Sequence, residues 1–165
     1  MTYESYLETV SKKLKYNFDF IEIPDFNGIK FKLAAKSNIR NEKYFATKGT
    51  VIYAYENNEY CFIRTLDDMT LEGVDETFDV LKKAMNDFVV PNEEHMSTIF
   101  TGIILTMGKV DADLEDIVRK FKYQKSYKFG LHGWTSIRLV IVEIGTGRVI
   151  TSREAKKISK FYKPF

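Results

Sequence analysis

The chain has 165 residues, 44% of them hydrophobic and 29% charged, a balance that supports a sizeable core and excludes disorder. One cysteine, Cys61, excludes an intrachain disulfide and points to a reducing, cytoplasmic setting. The first residues have neither the basic nor the apolar region of a secretory signal, and the apolar runs fall far short of the ~20 residues a membrane helix needs; no membrane association is expected.

Residues 2–14 predict an amphipathic helix, with Tyr3, Tyr6, Leu7, Val10 and Leu14 on one side and Thr2 placed to cap it. In 16–23, Tyr16, Phe18 and Phe20 alternate with polar residues. Pro24-Asp25-Phe26-Asn27-Gly28 then signals a turn, so a hairpin returning through 29–33 is expected. Lys30 and Lys32 alternate with apolar residues there, which makes the return an edge or one-side-exposed strand. After a polar connector at 37–43, a second hairpin is expected over 50–65, turning at Asn57-Asn58 and setting Tyr53 opposite Phe62 and Tyr55 opposite Tyr60. The resulting aromatic face suits a covering helix or, in the alternative, a ligand-stacking platform.

That helix is predicted over 70–88, where Leu71, Val74, Phe78, Leu81, Met85 and Phe88 step by threes and fours and Pro91 ends the run. An apolar strand follows at 97–107. Asp111-Ala112-Asp113 then opens a short helix whose acids complement its N-terminal dipole, with Leu114, Ile117, Val118 and Phe121 inward. The stretch 119–134 predicts a helix end, a strand near 125–129 and a Gly-bounded turn. The clearest strand is 137–144, with Ile137, Leu139 and Ile141 on one face and Val140, Val142 and Ile144 on the other, so it is covered on both sides and lies mid-sheet. Gly145-Thr146-Gly147 returns it through 148–150. A last helix, 152–162, carries a Thr151/Glu154 capping-box pattern and buries Ala155, Ile158 and Tyr162. The order predicts a single α+β domain, 1–165, with a mainly antiparallel sheet of about six to eight strands packed by four helices.

Charge is unevenly spread. Residues 1–118 hold 13 Lys/Arg and 21 Asp/Glu, a net −8, whereas 119–165 hold 12 Lys/Arg and only Glu143 and Glu154, a net +10. Such polarity suits self-association through opposite patches, or an anionic partner for the C-terminal part.

Most catalytic readings fail on spacing. Gly102 to Lys109 has five residues between its glycines where a phosphate loop has four, and Val110 stands where such a loop needs Ser or Thr. Gly145-Thr146-Gly147 lies between strands rather than before a helix. His95 and His132 have no metal-ligand partner at a useful spacing, and Cys61, inside a strand, reads as a small hydrophobe. Glu56 with Glu59, and Asp67-Asp68, read as solvated hairpin acids rather than a cation site. No cofactor and no metal are expected.

The ligand-binding candidates are Arg138, His132, Trp134, Tyr53, Tyr55 and Tyr60. Arg138 stands inside the core strand; it reads first as a snorkelling or carboxylate-paired arginine and otherwise as an anion ligand on a rigid strand. His132 and Trp134 occupy the loop that leads into that strand, where binding residues often sit. A nucleic-acid surface would use Lys120, Lys122, Tyr123, Lys125, Tyr127 and Lys128 with Lys156 and Lys160 of the last helix, cations tracking phosphates and rings stacking on bases. The favoured function is a non-catalytic binding or interaction module for a protein partner or small ligand. Single-stranded nucleic-acid binding is the alternative, and an enzyme whose site is scattered over Arg138, His132 and Glu143 comes third.

Overall fold

The computed structural model of the chain describes residues 1–44 and 51–165, the side chains of 41–44 and 51–53 lying outside the description. Its α-helices are α1 (Tyr3–Leu14), α2 (Leu71–Phe88) and α3 (Ala112–Lys120), and a 3-10 helix spans Arg153–Tyr162. The strands are β1 (Asp19–Phe20), β2 (Leu33–Tyr44), β3 (Val51–Thr65), β4 (His95–Thr106), β5 (Tyr123–Ser126), β6 (Trp134–Glu143) and β7 (Val149–Thr151). They form one seven-stranded sheet in the order β1-β2-β3-β4-β6-β5, with β7 also paired to β6.

The sheet is mixed, and the mainly antiparallel arrangement expected from the hairpin signals is not what forms. β3–β4 and β4–β6 are parallel, while β1–β2, β2–β3, β5–β6 and β6–β7 are antiparallel. Parallel neighbours cannot be joined by a tight turn and need a crossover. Here α2 carries the step from β3 to β4, and α3 lies on the step from β4 to β6. Both steps run the same way across the sheet, so the right-handed crossover rule puts both helices on one face. The other face is left to α1 and the 3-10 helix.

The two predicted hairpins are also corrected. β3 runs straight through Asn57-Asn58 and pairs with β2 from Leu33↔Ile63 to Tyr44↔Val51, so the supposed connector at 37–43 is strand. The asparagines are satisfied across the sheet: Asn58 Oδ1 accepts from Asn38 Nδ2 at 2.5 Å and Asn57 Oδ1 accepts from Ser97 Oγ at 2.6 Å. At 24–28 a turn does form, with Asn27 at φ 55° and Gly28 at φ 87°. Its flanks make only a Phe26↔Ile29 bridge, and Phe31 goes into the core.

Each face of the sheet has its own core. Tyr60, Phe62, Phe100, Ile104, Ile137, Leu139 and Ile141 meet Val74, Leu81 and Met85 of α2 and Leu114 and Val118 of α3. Gly102 belongs to this contact, because a Cβ there would stand 2.7 Å from Leu81 Cδ1; the residue that mimics a phosphate loop is there to let a helix approach. On the opposite face Cys61, Ile63, Ile103, Leu105, Val140 and Val142 meet Tyr6, Val10 and Leu14 of α1 and Ala155 and Tyr162 of the 3-10 helix. The C-terminal half of β6 is thus covered on both faces, as its sequence implies. The 3-10 helix starts without a side-chain cap, and Ser152 Oγ instead accepts from the Leu139 N–H at 3.0 Å. Among the described residues no helix is long and apolar enough to cross a membrane.

Three buried acids join the second core. Tyr6 donates to the Tyr162 carbonyl at 2.8 Å, and Cys61 Sγ lies 3.2 Å from Tyr162 Oη. Burial pushes the Cys61 thiol up to about 12 from an ordinary 9.0. It also raises both phenols well above their ordinary 10.0. The fold holds all three neutral, so their contribution to stability is complete below the unfolded values and is lost as pH rises beyond them. The melting temperature is therefore expected to hold level from about pH 7 to 8.5 and to fall above about pH 9, with Cys61→Ala delaying the onset. A melting temperature level to pH 10.5 would contradict this assignment.

Candidate functional site

α1 and the 3-10 helix cover only part of their face. The hydroxyl of Ser152 bonds the Leu139 amide and the hydroxyl of Tyr162 meets Cys61, so the 3-10 helix crosses the sheet from β6 to β3 near the row Cys61–Thr101–Arg138. Beyond that row, toward the N-terminal ends of β4 and β6, a cleft of about 620 Å³ opens on the sheet.

Period-2 alternation dictates its floor. Val140 and Val142 face this side, and so do Arg138, Ser136 and Trp134, stepping by two along β6. Ile99 and Gln124 flank Ser136 on the neighbouring strands. Arg153, Glu154, Lys156 and Lys157 supply the wall. In a 3-10 helix residues three apart eclipse one another, which aligns Arg153 with Lys156 and Glu154 with Lys157. Arg153, Lys156 and Lys157 form no ion pair among the described residues, and against the single Glu154 they leave the wall with a net positive charge.

Arg138 is 2% exposed. Its Nε donates to Thr101 Oγ1 at 2.7 Å and its Nη2 to Glu59 Oε1. Nη1 has no hydrogen-bond partner among the described residues. Ser136 is 1% exposed, and its Oγ makes no hydrogen bond. A buried hydroxyl without a partner costs about 1–3 kcal/mol, and in a cleft lined by cations it marks a place that a ligand atom would satisfy.

Trp134, half-buried, lines both this cleft and an adjoining hollow of about 210 Å³ bordered by Tyr55 and Leu131. Its position is fixed by Gly133, at φ +74°, where a Cβ would fall 2.3 Å from the Met96 carbonyl oxygen. No other residue fits that approach of the loop to β4.

The structure separates the remaining candidates. Tyr60 is buried on the opposite face, stacked 4.8 Å from Phe100 with the Lys36 ammonium 5.3 Å above it. Tyr55 opposes Asn41 rather than Tyr60; the Tyr53 side chain lies outside the described residues. His132 uses its carbonyl to accept from His95 Nδ1 at 2.7 Å, leaving His95 Nε2 for the Thr98 hydroxyl at 2.9 Å. Glu143 is buried at the far end of β6, accepting from Val110 N and Arg148 Nη1, so Arg138, His132 and Glu143 do not meet.

Among the basic-aromatic residues, Lys120 pairs with Asp116 at 2.5 Å. Tyr123 packs 5.3 Å from Phe78 beneath α2, and Lys125 lies 5.4 Å over Tyr127, whose hydroxyl accepts from Thr135. The strand register puts Tyr123 and Lys125 on one face and Lys156 on the other. Lys122, Lys128 and Lys160 are exposed, so the set makes no single surface. Sequence reasoning passed over Ser136, Ile99, Gln124, Arg153 and Lys157. The signal for Ser136 was its parity with Trp134 and Arg138 in an otherwise apolar strand. Among the described residues no cluster of His, Cys, Asp and Glu is arranged to hold a metal.

Over residues 2–164 the chain matches the family described as Domain of unknown function (DUF8052). It belongs to the DUF8052 family. No curated protein and no solved structure matches the chain. The match spans every strand of the sheet and the whole cleft, so the site lies within the DUF8052 domain. In this DUF8052 domain Ser136→Ala is expected to raise the stability of the ligand-free protein by about 1 kcal/mol, because it removes an unsatisfied buried group. Urea denaturation reads the difference, and a loss of stability would show that the hydroxyl already has a partner.

Proposed function

We propose that the chain is a single-domain cytoplasmic binding module whose half-open sheet face takes a small anionic ligand. The observation that carries this reading is the unpartnered Ser136 hydroxyl, buried beside Arg138 at the floor of a cleft walled by Arg153, Lys156 and Lys157. The polar groups that face the cleft are a hydroxyl, two guanidiniums, two ammoniums, an amide and the Glu154 carboxylate, so donors suited to hold an anion outnumber the one acid. Glu59, the carboxylate at the floor, is committed to Arg138. A cleft of this size is in the range of small-molecule sites. The net +10 of residues 119–165 gives an anion long-range attraction as well as contacts. Self-association and a protein partner are weaker readings, since the charge polarity gives them no particular surface.

Calorimetric titration with inorganic phosphate and pyrophosphate at low ionic strength tests the proposal. Both are expected to bind, the diphosphate more tightly, with affinity falling as salt is added. Reversing two wall charges, Lys156→Glu with Lys157→Glu, is expected to weaken binding about tenfold or more while circular dichroism stays unchanged. Binding that is absent, or indifferent to these substitutions, would overturn the reading.

A further inference from the structure

We propose that the anion is a phosphomonoester borne on a flat aromatic ring system, the class to which nucleoside monophosphates belong; this rests on the anion-binding reading above and extends it. The cleft changes in chemistry from one end to the other. At one end the 3-10 helix brings its cations over the Arg138 row; at the other stands Trp134. Along β6, with a rise of about 3.3 Å per residue, Ser136 lies about 7 Å and Arg138 about 13 Å from Trp134. A ligand that satisfies both ends needs an anionic head, a spacer and a planar apolar tail, which is the order phosphate, sugar, base.

The indole is built as a platform. Trp134 is paired into the sheet on both sides, opposite Ser97 of β4 and Ser126 of β5. Gly133 lets the preceding turn approach the Met96 carbonyl closely. An indole that is half exposed in a cleft offers a face on which a flat partner can stack. Ile99 and Gln124 flank the middle of the path, one giving an apolar side and the other an amide that donates and accepts. The Ser136 hydroxyl, beneath them, is placed for a phosphate or sugar oxygen.

Trp134 is the chain's one tryptophan, so its fluorescence reports this site alone. The experiment titrates the full chain with adenosine monophosphate, ribose 5-phosphate and adenosine, following Trp134 emission and, in parallel, calorimetric heat. Adenosine monophosphate is expected to quench the emission and to bind at least tenfold more tightly than either fragment. In Trp134→Leu its calorimetric affinity is expected to fall to that of ribose 5-phosphate, whose own affinity is unchanged. If ribose 5-phosphate binds as tightly as adenosine monophosphate, the aromatic-ring proposal fails and the anion site stands. If adenosine matches the monophosphate, the anion reading fails as well, and binding of none of the three overturns both. Urea denaturation of Trp134→Leu confirms that the variant compared is folded.

Discussion

A guanidinium inside a β-sheet has to be paired, and how Arg138 is paired governs what can lie above it. Thr101 and Glu59, on the next two strands, take two of its nitrogens, so the charge spans β6, β4 and β3 at one level of the sheet. Removing one partner from such an arrangement costs about 3–5 kcal/mol where both are fully buried. Less applies here, because the Glu59 side chain keeps 32% of its exposure. An apolar helix laid across this row would strip the remaining water from Glu59. The 3-10 helix reaches the row and brings cations and a tyrosine hydroxyl instead, and the sheet beyond stays open.

The topology makes that opening. Two parallel steps taken in the same direction commit α2 and α3 to one face, which they close with a continuous apolar layer. The remaining face depends on α1 and a 3-10 helix whose apolar contacts reach only the C-terminal halves of β4 and β6. Ligand sites of open parallel sheets usually lie beyond the carboxyl ends of the strands. Here Glu143, at that end of β6, is spent on the Val110 amide and Arg148. The cleft lies on the face near the amino ends, with polar and aromatic side chains where the rest of the face is aliphatic.

Much of this was legible locally. The three-and-four spacing of Leu71 to Phe88 gave α2, and the two-sided apolar run after Ile137 placed β6 mid-sheet. What failed was long range. Asn57-Asn58 reads as a turn because free asparagines favour turns. In the fold their amides are taken up by Ser97 and Asn38, partners 40 and 20 positions away in sequence. That one misreading split a fifteen-residue strand and put Tyr60 on the face of Tyr55. Parallel pairing has no local signature, since β3 and β4 meet only after α2 has crossed over. Arg138 was visible as an anomaly and Trp134 as a candidate in the loop that leads into the strand. The wall that makes a cleft of them comes from residues 153–157, and no spacing within β6 foretells it.

A double-mutant cycle on Glu59→Leu and Arg138→Leu, followed by urea denaturation, addresses the central claim most directly. If the pair organises this half of the sheet, each single substitution lowers stability by about 2 kcal/mol or more, while the double variant recovers most of the loss because two apolar side chains replace two charges. The coupling energy is then at least about 1.5 kcal/mol. Losses that add to within about 0.5 kcal/mol would show that Arg138 and Glu59 act independently, and the account of the open face would not hold.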